Sequence, residues 1–384
     1  MKIVFDKNMP YAAEAFATLG DALPKNGRDI APADVRDAEL LFTRSTTMVN
    51  AALLDGSAVR FCGSGVIGTD HIDIPYLNSR GIVWCNAPGC NAESVGDYIT
   101  AALLWLGGKH GFRLEGKTIG VIGVGNVGRC VCRRAKALGM RVLANDPPRQ
   151  RDPADAEAQG FVPLERLLAE SDIVTCHVPL IREGPDATWH LLDAARLAAL
   201  RPGAVVINAA RGPVTDTAAL LRALDKNVRH VVIDCWEGEP GYRPELLRRA
   251  ELATPHIAGH SYEGKVNGTA MVYRGACAFL GRTPDFRFGL PPSPLPVWRT
   301  DCGGRHDEDV LRELVLAVYD IEADSRRLKE SCCADAAARA AAFEAQRVRY
   351  PVRREFSATS VATANASDKL RAKILGLGFG KGSF

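Results

Sequence analysis

The sequence predicts an α/β protein with two parallel-sheet units and a separate C-terminal segment. Three observations predict it. Short apolar runs alternate with stretches at helical spacing over roughly the first 285 residues. A glycine turn, GVIGVGNVG, stands between a strand-like and a helix-like run. LPPSPLPVW, residues 290–298, places four prolines in nine residues and reads as an extended linker.

KIVF opens as a buried strand, and MPYAAEAFATLG follows at helical spacing with a glycine stop. ELLFTRS, VRFCGSG and GIVWCNAPG read as further strands ending in small or polar residues. Strands alternating with helices require crossover connections, hence a parallel sheet over residues 1–92. NAESVGDYITAALLWL then begins a long apolar helix behind an acidic first turn.

The second unit has strand-like runs KTIGVIG, RVLAND, DIVTCHVPL, AVVINAA, HVVIDCW and ELATPHIA. Helical stretches such as LERLLAES and DTAALLRALDK separate them. GKVNGTAMVYRGACAFLGR follows as a helix able to return to the first unit. Beyond the prolines, DEDVLRELVLAVYDIEADSRRLKE and CADAAARAAAFEAQRVRY have amphipathic helical spacing, and ATSVATA is strand-like.

Composition narrows the function. The 384 residues are 47% hydrophobic and 24% charged, as in globular proteins. A net charge of +3 gives no footprint for nucleic acid or an anionic membrane. DYITAALLWLGG is too short to span a bilayer. Eleven cysteines at scattered spacings, with no CxxC pair, suit small buried side chains in a reducing cytoplasm rather than a metal cage.

Gly123-x-Gly125-Asn126-Val127-Gly128 fits a dinucleotide turn. Glycines let the backbone turn tightly and approach a pyrophosphate, and the following helix presents free N–H groups and a positive dipole end. RVLAND ends at Asp146, placed to hydrogen-bond the ribose hydroxyls of NAD and to repel the 2′-phosphate of NADP. Arg149 and Arg151 just beyond it keep NADP open.

Three later strand ends, INAARGPVTD, DCWEGEP and TPHIAGH, offer Arg211, Glu239 and His256. Oxidation of a 2-hydroxy acid needs these types. A guanidinium holds the carboxylate and polarises the C2 oxygen. An imidazole takes the hydroxyl proton, and a carboxylate orients it and raises its pKa. His256 and His260 lie four apart, but Pro255 and Gly259 make that stretch a loop, so no metal site is expected.

GVIGVGNVGR, DIVTCHVPL, INAARGPVTDTAALLRAL, DCWEGEP and TPHIAG together resemble the D-isomer-specific 2-hydroxyacid dehydrogenases. The resemblance implies two Rossmann-like doubly wound domains. The NAD-binding one, 93–258, is inserted into a substrate-binding one, 1–92 and 259–285, with a cleft between them. It implies Arg211, Glu239 and His256 as the catalytic set. It also implies Thr175, Ala209, Ala210, Arg211, Asp234 and Gly259 as positions approaching NAD.

DKNMPYA, RSTTMVN, GTDHID, APGCNA and the tail stretches LVLAVYDIEADSRRLK and RREF are similar to one branch of that family. Its members act on a phosphorylated hydroxy acid and carry a C-terminal α+β dimerisation domain, here 286–384. The resemblance implies a homodimer, with Arg44 and Ser45 at the substrate and Arg353 and Arg354 as further cations reaching in from a partner or forming surface ion pairs. Two substrate positions depart from the branch: Val66 replaces a hydroxyl residue and His260 a tyrosine. Two alternatives stay open. One is a dehydrogenase for another acid, such as 3-phosphoglycerate or glyoxylate. The other is a non-catalytic NAD-sensing protein of the corepressor kind.

Overall fold

The computed structural model describes residues 1–382. The chain divides into two compact units, one of Met1–Ala92 with His260–Pro291, the other of Glu93–Gly259 with the chain from Pro292 onward.

The first unit holds β1 (Lys2–Asp6), β2 (Asp21–Lys25), β3 (Leu40–Thr43), β4 (Phe61–Ser64) and β5 (Val83–Cys85). They form a parallel sheet in the order β2-β1-β3-β4-β5. LLFT and FCGS are buried at every residue, as strands covered on both faces must be. β2 escapes the sequence reading because DALPK looks like a turn; its proline is tolerated at a sheet edge. The helix Tyr262–Phe279 packs its Val272, Tyr273 and Ala276 against Ile3, Phe42 and Phe61. Phe16 stacks on Phe42 at 3.8 Å.

The second unit holds β6 (Thr118–Ile122), β7 (Arg141–Asn145), β8 (Ile173–Cys176), β9 (Ala204–Asn208), β10 (Val228–Ile233) and β11 (Leu252–Ala253). All pair in parallel, in the order β11-β10-β9-β8-β6-β7. The order reverses between β6 and β8, the switch point outside which ligands bind in doubly wound sheets. The apolar helix Ala92–His110 lies against this sheet through Tyr98, Ile99 and Leu103.

The C-terminal segment is α+β, with β12 (Val297–Asp301), β13 (Ser360–Ala364) and β14 (Gly380–Lys381) parallel in that order. Val297 and Trp298, placed in the linker by sequence, start β12 instead, because the prolines end at Pro296 and both residues pair with β13. The single helix expected over 307–330 is two, Asp307–Val318 and Ile321–Glu330. Asp320 divides them by accepting the Ala323 N–H at 2.9 Å, an N-cap that starts the second helix afresh. Leu314, Val315, Ile321 and Phe356 join the core that contains Tyr98.

A buried ion pair stitches this segment down. Arg134 pairs with Asp97, whose other oxygen accepts the Phe356 N–H at 3.1 Å. Arg353 is buried, not presented to a partner. Its guanidinium donates to Ser94 Oγ and to the Ala258 carbonyl and lies over the Tyr319 ring at 4.4 Å. Arg354 is buried as well. Both therefore depart from the exposed roles expected of them: they are enclosed within their own chain. All eleven cysteines are free thiols; seven are buried and Cys333 is exposed.

Candidate active site

The glycine turn has a separate reason for each glycine. Gly123 has φ +84°, and a side chain there would meet Val178 at 2.6 Å. Gly128 packs helix on strand so closely that a Cβ would lie 2.0 Å from the Gly123 carbonyl oxygen. Gly125 caps the helix Asn126–Ala137, and a Cβ there would point into open space. That open cradle, at a helix start with unpaired N–H groups, fits a pyrophosphate. Asn126 and Val127 form the helix's first turn.

Asp146 stands at the mouth of the turn and accepts the Val124 N–H at 2.8 Å. Arg149 does not stand ready for a 2′-phosphate. It pairs with Asp155 at 2.6 Å and Glu157 at 2.5 Å and donates to the Val124 carbonyl. Arg151 pairs with Asp186 at 2.6 Å. Acidic neighbours have thus taken both cations, and a carboxylate faces the turn. Thr175, buried at the end of β8, shares a hydrogen bond with His177 at 2.9 Å. Burial depresses the His177 pKa to about 3, so this imidazole is neutral.

The three candidate catalytic residues leave adjacent strands. Asn208, Ile233 and Ala253 stand at the ends of β9, β10 and β11 in paired register, and Arg211, Glu239 and His256 follow in the next loops. His256 Nδ1 lies 2.6 Å from Glu239 Oε1. Glu239 also accepts the Trp236 N–H at 3.1 Å. His256 sits in left-handed backbone, φ +55°, a strained setting for a residue with a side chain.

Asp234 holds His256 in that conformation. Its buried carboxylate accepts Thr254 Oγ1–H at 2.7 Å and the N–H groups of Ile257 at 2.7 Å and Ala258 at 3.0 Å. This closes the loop that ends at Gly259. Asn208 does the same for the neighbouring loop. It accepts the Ala210 N–H at 3.1 Å and donates to the Arg211 carbonyl at 3.0 Å. Ala209, Ala210 and Arg211 therefore share one fixed turn, and Arg211 Nη1 donates to the Ala210 carbonyl at 2.8 Å.

The electrostatics of the pair are those of an ion pair. Burial opposes a charged His256, but the adjoining Cys235 sulfur and Glu239 outweigh it and hold its pKa well above the usual value. Burial raises the Cys235 thiol pKa, so the counter-charge comes from Glu239. Burial also works against a charged Glu239, yet His256, the Trp236 N–H and Arg347 hold its pKa below the usual value. Arg347 lies in the helix Ala336–Val348, outside the residues the sequence motifs point to. A basic residue in an amphipathic tail helix carries no signal that it approaches a carboxylate 108 positions earlier.

In the other unit, Arg44 follows β3 directly and Ser45 is exposed next to it. Val66 lies two residues past β4, the strand paired with β3. Its carbonyl accepts the Ala87 N–H at 3.1 Å. The helix Tyr262–Phe279 passes over this loop at Gly268, where a Cβ would lie 2.3 Å from the Gly65 carbonyl oxygen. His260 immediately precedes Ser261, the cap of that helix.

Away from these loops, His110, His230 and Glu251 bring one ligand atom each within 4.8 Å. The imidazoles stack at 3.9 Å, and Lys109 Nζ occupies the second carboxylate oxygen at 2.8 Å.

Residues 100–258 match the family described as D-isomer specific 2-hydroxyacid dehydrogenase, NAD binding domain. Residues 290–377 match a domain of unknown function, DUF3410. The structure is similar to that of the TT0316 protein from Thermus thermophilus, with a TM-score of 0.62 at 26% identity over 74% of this chain and 98% of that one. It shares its fold with D-lactate dehydrogenase from Aquifex aeolicus complexed with NAD and lactic acid, with a TM-score of 0.59 at 24% identity over 73% of this chain and 96% of that one. The class is therefore that of the NAD-dependent 2-hydroxyacid dehydrogenases, with NAD as cofactor and a small molecule as substrate.

Two relatives span nearly the whole chain. The erythronate-4-phosphate dehydrogenase of Aeromonas hydrophila subsp. hydrophila is 46% identical over 93% of this chain and 94% of its own. That of Chromohalobacter salexigens is 44% identical over 99% and 98%. The chain belongs to the erythronate-4-phosphate dehydrogenase family.

Proposed function

We propose that this protein oxidises 4-phospho-D-erythronate at C2 with NAD, giving 2-oxo-3-hydroxy-4-phosphobutanoate in the biosynthesis of pyridoxal 5′-phosphate. Likeness to the relatives along almost the full chain supports the substrate. The observation that carries the chemistry is the His256–Glu239 pair at 2.6 Å.

The residues divide the work. Arg211 binds the substrate carboxylate and polarises the C2 oxygen. Glu239 accepts from His256 Nδ1, which leaves Nε2 as the nitrogen that exchanges a proton with substrate. Neutral His256 takes the C2 hydroxyl proton, and the C–H bond breaks as the carbonyl forms. Bound NAD supplies the hydride acceptor. In reverse, the imidazolium returns the proton to the oxygen. The helix start at Gly125 and Asn126 receives the pyrophosphate, and Asp146 the ribose. Thr175, in the last part of β8, and Ala209, Ala210, Asp234 and Gly259, in the loops after β9, β10 and β11, approach the cofactor.

Arg44 and Ser45 meet the phosphorylated acid from the end of β3, with Val66 and His260 beside it in the same role. At those last two positions relatives of this branch carry a hydroxyl residue and a tyrosine. They favour a second reading, a different 2-hydroxy acid as substrate. The assay that decides is NADH formation with 4-phospho-D-erythronate against 3-phosphoglycerate and the reduced forms of glyoxylate and hydroxypyruvate. Preference for any of the others overturns the substrate, and NAD binding without turnover on any of them overturns the enzyme.

The protein acts as a cytoplasmic homodimer joined through residues 286–384. Val348 and Val352, 72% and 64% exposed, support an apolar contact there. No helix among the described residues is long and apolar enough to cross a membrane.

A further inference from the structure

The loop after β10 carries two glutamates, and each takes a histidine at the same distance. Glu239 Oε1 lies 2.6 Å from His256 Nδ1, and Glu237 Oε1 lies 2.6 Å from His190 Nε2. Both histidines have left-handed backbone, φ +55° and +48°. The second pair has no part in the chemistry above, yet His190 is held in a backbone conformation that residues with a side chain rarely adopt.

Its surroundings say what it holds. The second Glu237 oxygen accepts the Thr217 N–H at 3.1 Å. The His190 N–H donates to the Pro213 carbonyl at 2.7 Å, the Leu192 N–H to Val214 at 3.0 Å, and the Asp216 N–H to Leu192 at 3.2 Å. Residues 190–192 thus run along 213–216, the stretch that follows Arg211. On its other side this stretch touches the glutamate loop: a Cβ on Gly212 would lie 1.9 Å from the Trp236 carbonyl carbon. Three loops, after β8, β9 and β10, therefore close on one another. The His190–Glu237 contact is the side-chain link that spans the first and third. Trp189 stacks on His190 at 4.8 Å, and Arg182 lies 4.2 Å over the indole, so the ring is held from its outer side as well.

We propose that His190 and Glu237 are a positioning pair that sets the Arg211 loop against the Glu239 loop, and so tunes the grip on the hydroxy-acid carboxylate. This rests on the reading of Arg211 given above. The pair touches neither substrate nor cofactor. It acts by preventing the Arg211 loop from relaxing away from the C-terminal end of the sheet, where a displacement of about 1 Å costs up to roughly 10²-fold.

The test is a kinetic cycle on the full chain with 4-phospho-D-erythronate and NAD. His190→Asn suits the left-handed backbone but is too short to reach Glu237. His190→Gln retains a donor of nearly the original reach. His190→Asn is expected to lower kcat/KM for the hydroxy acid roughly 10-fold, mainly through KM, with the KM for NAD and the pH midpoint unchanged. His190→Gln is expected to restore most of it. In the double variant with Arg211→Lys, the loss should be no larger than for Arg211→Lys alone, because both act through one group. An unchanged KM in His190→Asn, with a raised KM in Arg211→Lys, overturns the positioning role alone. An additive double variant, or a moved pH midpoint, overturns it too. No effect from Arg211→Lys overturns the reading of Arg211 beneath it.

Discussion

His256 Nδ1 sits 2.6 Å from Glu239 Oε1, and the two residues change each other's acidity in opposite directions. Glutamate holds the imidazolium, so the His256 pKa lies above the usual value. Oxidation of the hydroxy acid needs neutral imidazole and should therefore rise with pH up to that raised pKa. Reduction of the oxo acid needs the imidazolium and should fall with pH through the same midpoint. Glu239→Gln removes the counter-charge and should move both midpoints toward lower pH. His256→Asn should cost roughly 10²–10⁴-fold in either direction. Rate profiles of the three proteins, measured both ways, check this; a midpoint that stays put in Glu239→Gln contradicts it.

Gly125 and Gly128 should respond differently to the same added methyl. At Gly128 a Cβ would lie 2.0 Å from the Gly123 carbonyl oxygen. Gly128→Ala should destabilise the second unit by about 1–3 kcal/mol. At Gly125 the Cβ points into open space. Gly125→Ala should fold normally and weaken NAD binding about 10-fold, since the methyl stands where the pyrophosphate approaches. Thermal unfolding and NADH titration of the two variants separate the effects.

Asp97 joins the C-terminal segment to the helix Ala92–His110. Asp97→Ala leaves the buried Arg134 guanidinium with only Glu93 as counter-charge and leaves the Phe356 N–H unpaired. The expected loss is about 3 kcal/mol, the usual consequence of stranding one partner of a buried pair. Urea unfolding measures it, and early proteolysis beyond residue 292 should accompany it.

Val348 and Val352 are the most exposed large apolar side chains of the chain's described residues. If the tail joins two copies, Val348→Glu with Val352→Glu should shift the protein to monomer while leaving its helix content intact. Sedimentation of the wild type and the double variant gives the answer. A wild type that is already monomeric removes the homodimer.

Much of this protein was legible because its signals are local. KTIGVIGVGNVG followed by a helix announces strand, turn and helix within one stretch, and the positive φ of Gly123 and the close approach of Gly128 to Gly123 are demands made inside it. Arg211, Glu239 and His256 each follow a recognisable apolar strand. β2 was not legible, because an edge strand needs no apolar pattern. Nor was the break at Asp320, where a cap overrides continuous helical spacing.

The α/β alternation, the dinucleotide turn and the residue types at the three strand ends are written in the linear order of residues. These depend on periodicity and on turns a few residues long. Which partners meet is set by the folded chain. Glu239 and His256 are 17 positions apart, His190 and Glu237 47, and Asp97 and Arg134 37. Burial then set their charges, since an imidazole or a carboxylate taken from water depends on the one neighbour it faces. The left-handed backbone of His256 and the enclosure of Arg353 belong to this second group. They follow from the Asp234 hydrogen bonds and the Tyr319 ring, which the linear order of residues does not reveal.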